Sequence, residues 1–132
     1  KDDSHVIPGL IYRMHDAKIN SQKKFSVWGT GTPLREFLNA MDFAKSILFI
    51  LENNIDDELL NIGSNEEVSI KELASIIQKT INYEGEIIFD EEMPDGNPRK
   101  LLDSTKIFDY GWKPEIKLEQ GLKEAYEWFT SN

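Results

Sequence analysis

The chain has 132 residues and a mass of 15.2 kDa, enough for one domain with a real core. It contains no cysteine and only two histidines, which excludes a disulfide framework, a zinc–thiolate site, a thiol nucleophile and a three-histidine metal site. Fifteen Lys and Arg against 24 Asp and Glu give a net charge of −9, which argues against a nucleic-acid or anionic-membrane binder but leaves room for one small anion held by local cations.

In chain order, helix-like and strand-like patterns alternate. Ile7, Leu10, Ile11 and Met14 recur at helical spacing, with Pro8 tolerable in the first turn. Lys24 to Trp28 alternates as a strand with Phe25 and Val27 on one side, and Gly29-Thr30-Gly31-Thr32-Pro33 ends it. Phe43, Ala44, Ile47, Leu48 and Leu51 make a second helical face. The longest apolar run, Ile47 to Leu51, is far too short to span a membrane. Leu59 to Ile62 reads as a short apolar strand ending at Gly63-Ser64-Asn65.

Ser69 with Glu72 three residues on is a capping box, opening a helix whose face is Ile70, Leu73, Ala74, Ile77 and Ile81. Glu86 to Phe89 reads as a strand, Asp90 to Lys100 as a stiff loop carrying Pro94, Gly96 and Pro98, and a short helix is expected after Asp103-Ser104. Leu118, Leu122, Ala125, Tyr126 and Phe129 give the last helix. Trp112, Trp128 and Phe129 are read as packing residues, His15 as exposed, and Asp56-Asp57-Glu58 and Glu66-Glu67 as solvated loop charge. The class is α/β. Two expected signals are missing. No third glycine follows Gly29-Thr30-Gly31, so there is no dinucleotide-binding turn, and no tyrosine is followed four residues later by lysine. The chain reads as part of something larger.

Three segments can carry chemistry, and they hold all three arginines. In Ser4-His5-Val6-Ile7-Pro8-Gly9-Leu10-Ile11-Tyr12-Arg13, His5 precedes a helix, free to give and take a proton near neutrality. Arg13 stands about 12 Å further along the axis. In Trp28-Gly29-Thr30-Gly31-Thr32-Pro33-Leu34-Arg35-Glu36-Phe37, Trp28 offers a flat face, the glycines let backbone amides approach a phosphate, and Arg35 can clamp a diphosphate. In Pro94-Asp95-Gly96-Asn97-Pro98-Arg99-Lys100, Asp95 can accept from ribose hydroxyls or from the paired N–H groups of guanine, and Arg99 suits phosphate. Each segment taken singly also fits a bland reading. These are an amphipathic surface helix, a turn with an Arg35–Glu36 surface pair, and an acidic loop with an internal Asp95–Arg99 pair.

Taken in order, the motifs resemble one family. His5-Val6-Ile7-Pro8, Trp28-Gly29-Thr30-Gly31-Thr32-Pro33-Leu34-Arg35-Glu36-Phe37-Leu38, Asn61-Ile62-Gly63, Pro94-Asp95-Gly96-Asn97-Pro98-Arg99-Lys100-Leu101-Leu102-Asp103 and Gly111-Trp112 are similar to the C-terminal, substrate-binding part of the GDP-L-fucose synthases. These are extended short-chain dehydrogenase/reductases that epimerise and reduce a GDP-4-keto-6-deoxy sugar. The resemblance implies His5 as an acid/base group in epimerisation. It implies Arg13, Trp28, Arg35 and Asp95 as holders of the GDP-sugar, with Arg99 helping the nucleotide. It also implies NADP(H) bound mainly by an N-terminal Rossmann domain absent from these 132 residues, no metal, no nucleic-acid or membrane partner, a homodimeric full-length enzyme and a cytoplasmic location. Residues 1–132 are then one substrate-binding region, inactive alone. The sequence departs from the family at Asn39-Ala40-Met41-Asp42, where one carboxylate is gone. Another nucleotide-sugar epimerase or reductase, acting on a GDP-deoxyheptose or a UDP-sugar, and a non-catalytic nucleotide-binding module are the alternatives.

Overall fold

A computed structural model describes residues 5–131. The elements are α1 (Val6–Ile19), β1 (Lys24–Trp28), β2 (Leu34–Glu36), α2 (Ala40–Glu52), β3 (Glu67–Ser69), α3 (Ile70–Ile81), β4 (Glu86–Asp90), β5 (Arg99–Lys100), α4 (Thr105–Asp109) and α5 (Leu118–Ser131). Ser4, part of the first motif, lies outside the described residues.

The alternation in Lys24–Trp28 is realised: Phe25 and Val27 point inward while their neighbours are exposed. β1 pairs in parallel with β4, from Lys24 opposite Glu86 to Trp28 opposite Asp90. The crossover between them carries α2 and α3. A second, three-stranded sheet has β2 at its centre, antiparallel to β3 and parallel to β5. α3 starts where the capping box sets it. Ser69 Oγ accepts from Glu72 N–H (3.1 Å), and Glu72 Oε2 accepts from Ser69 N–H (2.8 Å). It stops at Asn82, whose φ of 55° is left-handed. Leu73, Ile77 and Ile81 on its buried face meet Leu10 and Met14 of α1, Phe25 and Val27 of β1, and Leu122 of α5 in one core. This burial is the main stabilising term, as it is for any half-apolar helix in water.

Several expectations are corrected. Leu59–Ile62 forms no strand, and Leu59 is 76% exposed. No described strand runs beside it; side-chain bonds hold it instead, such as Asn61 Nδ2 donating to the carbonyl of Asp103 (3.2 Å). The strand in this region is β3, and the expected loop from Asp90 to Lys100 ends in β5. α2 forms, with Asn39 Oδ1 accepting from Met41 N–H at its start (2.8 Å), but its apolar face is turned outward. Phe43, Ile47, Leu48 and Leu51 are exposed, and the buried residues are Asp42 and Ser46. The reason is backbone satisfaction. The amides of Glu115 and Ile116 both need an acceptor, and Asp42 Oδ2 supplies it at 3.0 and 2.8 Å.

His15 is half-buried rather than exposed. α5 lies across α1, so His15 Nδ1 shares a 2.9 Å hydrogen bond with Tyr126 Oη and sits edge-on to Phe129. Trp112 is buried, as a packing residue should be, whereas Trp128 lies on the outer side of α5 and is 69% exposed. Asp57 is not free loop charge: it binds Lys106 Nζ (2.5 Å) and Tyr110 Oη (2.8 Å). Among the described residues no helix is long and apolar enough to cross a membrane, and no group of three His, Cys, Asp or Glu could hold a metal ion.

Candidate functional site

The parallel pair β1–β4 ends at Trp28 and Asp90, and both chains turn away at the same level. Gly29 N–H donates to the carbonyl of Asp90 (2.9 Å), one bond beyond the ladder. The carboxyl ends of parallel strands are where α/β folds bind ligands, because the loops leaving them diverge and open a crevice. Here the loops are 29–33 and 91–98.

The first loop depends on two glycines. Gly29 has φ +80° and Gly31 φ +76°, a region that side chains disfavour. A Cβ on Gly31 would meet the ring of Phe89, and one on Gly29 would meet the carboxylate of Asp95. The space over Gly29 is therefore taken by the second loop. Thr30 N–H donates to Asp95 Oδ1 (2.9 Å) and Thr30 Oγ1 donates to Asp95 Oδ2 (2.7 Å). Having given its proton to Asp95, the Thr30 hydroxyl accepts from Thr32 Oγ1 (2.7 Å).

Arg35, in β2, grips the far side of the same loop. Its Nη1 donates to the carbonyls of Leu34 (2.6 Å) and Asn97 (2.7 Å), leaving the other edge of the guanidinium beside Gly96. No Arg35–Glu36 pair forms. Glu36 accepts from the backbone amides of Asn65 (2.6 Å) and Leu102 (3.1 Å), tying two further loops to β2.

α1 supplies the remaining wall. His5 precedes its first turn; its carbonyl accepts from Gly9 N–H (3.0 Å), while its imidazole makes no capping bond and is exposed. Arg13 lies two turns on, with Nε near the Gly9 carbonyl (3.4 Å) and its guanidinium over the ring of Phe25 (5.4 Å). Trp28 is half exposed.

His5, Arg13, Trp28, Arg35 and Asp95 thus line one open cavity of about 300 Å³. It carries two guanidinium groups and one carboxylate in a chain of net charge −9, a local reversal of sign that suits an anion. The indole and the apolar residues beneath it suit a ring.

Arg99, the sixth residue singled out in the sequence, is placed elsewhere. Its Nε and Nη2 donate to the two carboxylate oxygens of Glu67 (2.7 and 2.6 Å) across the three-stranded sheet. That fork holds the Glu67 carboxyl below its ordinary range and the guanidinium above its own. The internal Asp95–Arg99 pair considered for this loop is not formed, because each partner is engaged by another group. A second, larger cavity of about 410 Å³ lies between α3 and residues 114–119, and contains none of the six. Sequence reasoning missed Thr30 as a participant. The only available signal was its place between two glycines, where a hydroxyl is free to bond across a turn.

The α/β fold matches part of the structures of Rossmann-type reductases. Residues 1–63 match the model of the NAD dependent epimerase/dehydratase family. More particularly, the chain is similar to the GDP-L-fucose synthases. It is 45% identical over 131 residues to the probable GDP-L-fucose synthase 1 of Oryza sativa subsp. japonica, a match covering 99% of this chain and 40% of that protein. A crystal structure of a GDP-L-fucose synthetase from Naegleria fowleri superposes with a TM-score of 0.89 at 30% identity, over 99% of this chain and 40% of that one. A GDP-mannoheptose C4 reductase from Campylobacter jejuni with NADP bound superposes with a TM-score of 0.85, also at 30% identity, over 96% of this chain and 45% of that one. The chain spans about two fifths of the length of the curated relatives it matches.

Proposed function

We propose that residues 1–132 form the substrate-binding region of an NADPH-dependent GDP-4-keto-6-deoxymannose 3,5-epimerase/4-reductase, and that this region binds the nucleotide-sugar but does not turn it over. The observation that carries the reading is the convergence of His5, Arg13, Trp28, Arg35 and Asp95 on one cavity at the carboxyl ends of β1 and β4.

The roles follow from chemistry. A diphosphate needs cations able to give paired hydrogen bonds, and Arg13 and Arg35 are the cations of the cavity. A base or sugar ring needs a flat partner, which Trp28 offers. Asp95 has lone pairs left over after its two bonds to Thr30, suited to ribose hydroxyls or to the N–H edge of guanine. In a 4-keto sugar the protons at C3 and C5 lie alpha to the carbonyl and are acidic enough for a positioned base. His5 can take or return such a proton, and return from the opposite face inverts the centre. A second acid/base group is needed for the other face; with Asp95 held by Thr30 and given to the nucleotide in this reading, it falls to residues outside this chain. No glycine-rich dinucleotide turn and no Tyr-x-x-x-Lys pair is present in this sequence, so these residues do not fit NADPH. The reduction at C4 belongs to the remainder of a longer protein. That reading carries with it a cytoplasmic location, where soluble NADPH is found, and the homodimer that the family resemblance implies.

Calorimetric titration of the 132-residue chain with GDP, UDP and NADPH tests the proposal. The expected result is heat of binding for GDP, little for UDP and none for NADPH. Arg35→Ala should weaken GDP by about tenfold or more, the loss of one charged hydrogen-bond donor to a phosphate. Preference for UDP would overturn the GDP assignment. Turnover of a GDP-4-keto sugar with NADPH by this chain alone would overturn the division of labour. The sugar has a second reading, a GDP-linked heptose, favoured by the likeness to the GDP-mannoheptose C4 reductase. The two GDP-sugars compared in the same titration separate these.

A further inference from the structure

We infer that Thr30 is a positioning residue of the cavity, acting as the latch that sets the loop 94–97 as its wall. The inference rests on the nucleotide-binding reading above and adds a residue that the reading does not use.

Asp95 is exposed and lies in a loop without regular structure, between Pro94 and Gly96. Such a carboxylate would ordinarily sample many directions, and a ligand would have to fix it at an entropic cost. Here both oxygens are already engaged by one residue. Thr30 N–H meets Oδ1 at 2.9 Å and Thr30 Oγ1 meets Oδ2 at 2.7 Å. This two-point grip defines the plane of the carboxylate as well as its position. The hydroxyl cannot easily turn away, because it also accepts from Thr32 Oγ1 at 2.7 Å and from the Thr32 amide at 3.2 Å. Two residues further along, the carbonyl of Asn97 is held by Arg35 Nη1 at 2.7 Å. The loop is therefore pinned on both sides of Gly96, once to the turn after β1 and once to β2. Gly29 completes the fit: with no side chain there, the Asp95 carboxylate can lie against the turn.

Each Asp95 oxygen has a second acceptor direction not used by Thr30. Thr30 thus decides which way those remaining directions face, and Asp95 arrives at a ligand preorganised. Arg35 has a double part, since the guanidinium that can meet a phosphate is the same one that holds the loop. Thr30 itself does not line the cavity, and its effect passes through Asp95.

Thr30→Val keeps the backbone donor and removes the hydroxyl; Thr30→Ser restores it. Amide hydrogen exchange followed by mass spectrometry reads the grip on Asp95 at the residue 30 amide, which donates to its carboxylate, and calorimetry with GDP reads the cavity. The expected result for Thr30→Val is loss of protection at the residue 30 amide, whose acceptor is Asp95 Oδ1, unchanged exchange in α3, and GDP binding weakened by about tenfold, the usual effect of losing one hydrogen bond to a charged group. Thr30→Ser should match the wild-type chain in both readouts, which a general packing defect would not allow. Unchanged protection of the residue 30 amide in Thr30→Val overturns the latch. Faster exchange with undiminished GDP affinity overturns its service to the cavity. If the wild-type chain takes up no GDP, the nucleotide reading fails separately, and the latch is then judged on exchange alone: accelerated exchange supports it and unaltered exchange refutes it.

Discussion

At the scale of single residues, three carboxylates do similar work. Glu36, Asp42 and Asp95 each accept two hydrogen bonds from segments distant in sequence, and most of those donors are backbone amides. An amide left without an acceptor in a half-buried loop costs about 1–3 kcal/mol, so an acidic side chain aimed at two of them fixes loop geometry that no sheet or helix would hold. The glycine turn depends on one of these clamps. Gly29→Ala would require a side chain at φ +80° and would push its methyl group into the Asp95 carboxylate. The expected outcome is a loss of about 1–3 kcal/mol in urea unfolding, from left-handed strain together with the displaced bond. A weaker response to GDP should accompany it in the same calorimeter. The residues His5, Arg13, Trp28, Arg35 and Asp95 were legible through the order of their motifs along the chain, since each segment taken singly also fits a bland reading. The partner of Arg99 was not legible. Glu67 lies 32 residues away, and only the register of β2 against β3 and β5 brings the two side chains together.

At the scale of elements, what could be read depended on length. α1, α3 and α5 have a clear period of 3.6 and a face to bury, and Ser69 with Glu72 marks the start of α3 to the residue. β1 is long enough to alternate. β2, β3 and β5 have three, three and two residues, too few for any period, and they exist because neighbouring chain supplies their partners. Leu59–Ile62 shows the converse: an apolar run of strand length stays irregular where nothing lies alongside to pair with it. For α2, the period correctly gave a helix and an apolar face, but a period carries no information about which way that face points. Asp42 decides it by bonding to residues 115 and 116, and so Phe43, Ile47, Leu48 and Leu51 face outward together. A contiguous apolar face of this kind drives association in water. Sedimentation equilibrium of the isolated chain should therefore show concentration-dependent self-association, and Ile47→Glu should shift it towards monomer without altering GDP binding. A wild-type chain that stays strictly monomeric across the concentration range would contradict this.

At the scale of the whole molecule, the acidic balance has a pH signature. Asp57, Glu67, Glu72 and Asp103 all hold their protons less tightly than usual, because of Lys106, Arg99, Ser69 and Thr105 respectively. A carboxyl lowered in the folded state contributes stability that is complete above its ordinary value, 4.5 for Glu and 3.8 for Asp. That contribution is lost as pH falls through the lowered folded value. Lys45 and Lys117, raised above 10.5 by Glu115 and Glu66, act in the opposite sense and lose their contribution only as pH rises through their folded values. The melting temperature should thus be level from about pH 5.5 to 9 and fall on acidification below about 4.5. The cationic partners Lys106 and Arg99 are solvent-exposed, so added salt should flatten the ion-pair share of the acid limb, and a thermal scan at low and high ionic strength checks both features.

The parallel pair under the cavity also bears on how the site comes into being. Two of its walls are loops that acquire their direction only where β1 and β4 stop side by side, and those strands meet across the whole length of chain that carries α2 and α3. Closing so long a segment must be paid for in chain entropy before any ladder bond rewards it, which makes such pairings slow compared with the helices between them. A nascent chain can therefore have α3 capped and amphipathic while it still has no cavity at all. The ability to hold a ligand arrives in one step with the closing of that ladder, so ligand uptake during refolding would time the docking of β4 on β1.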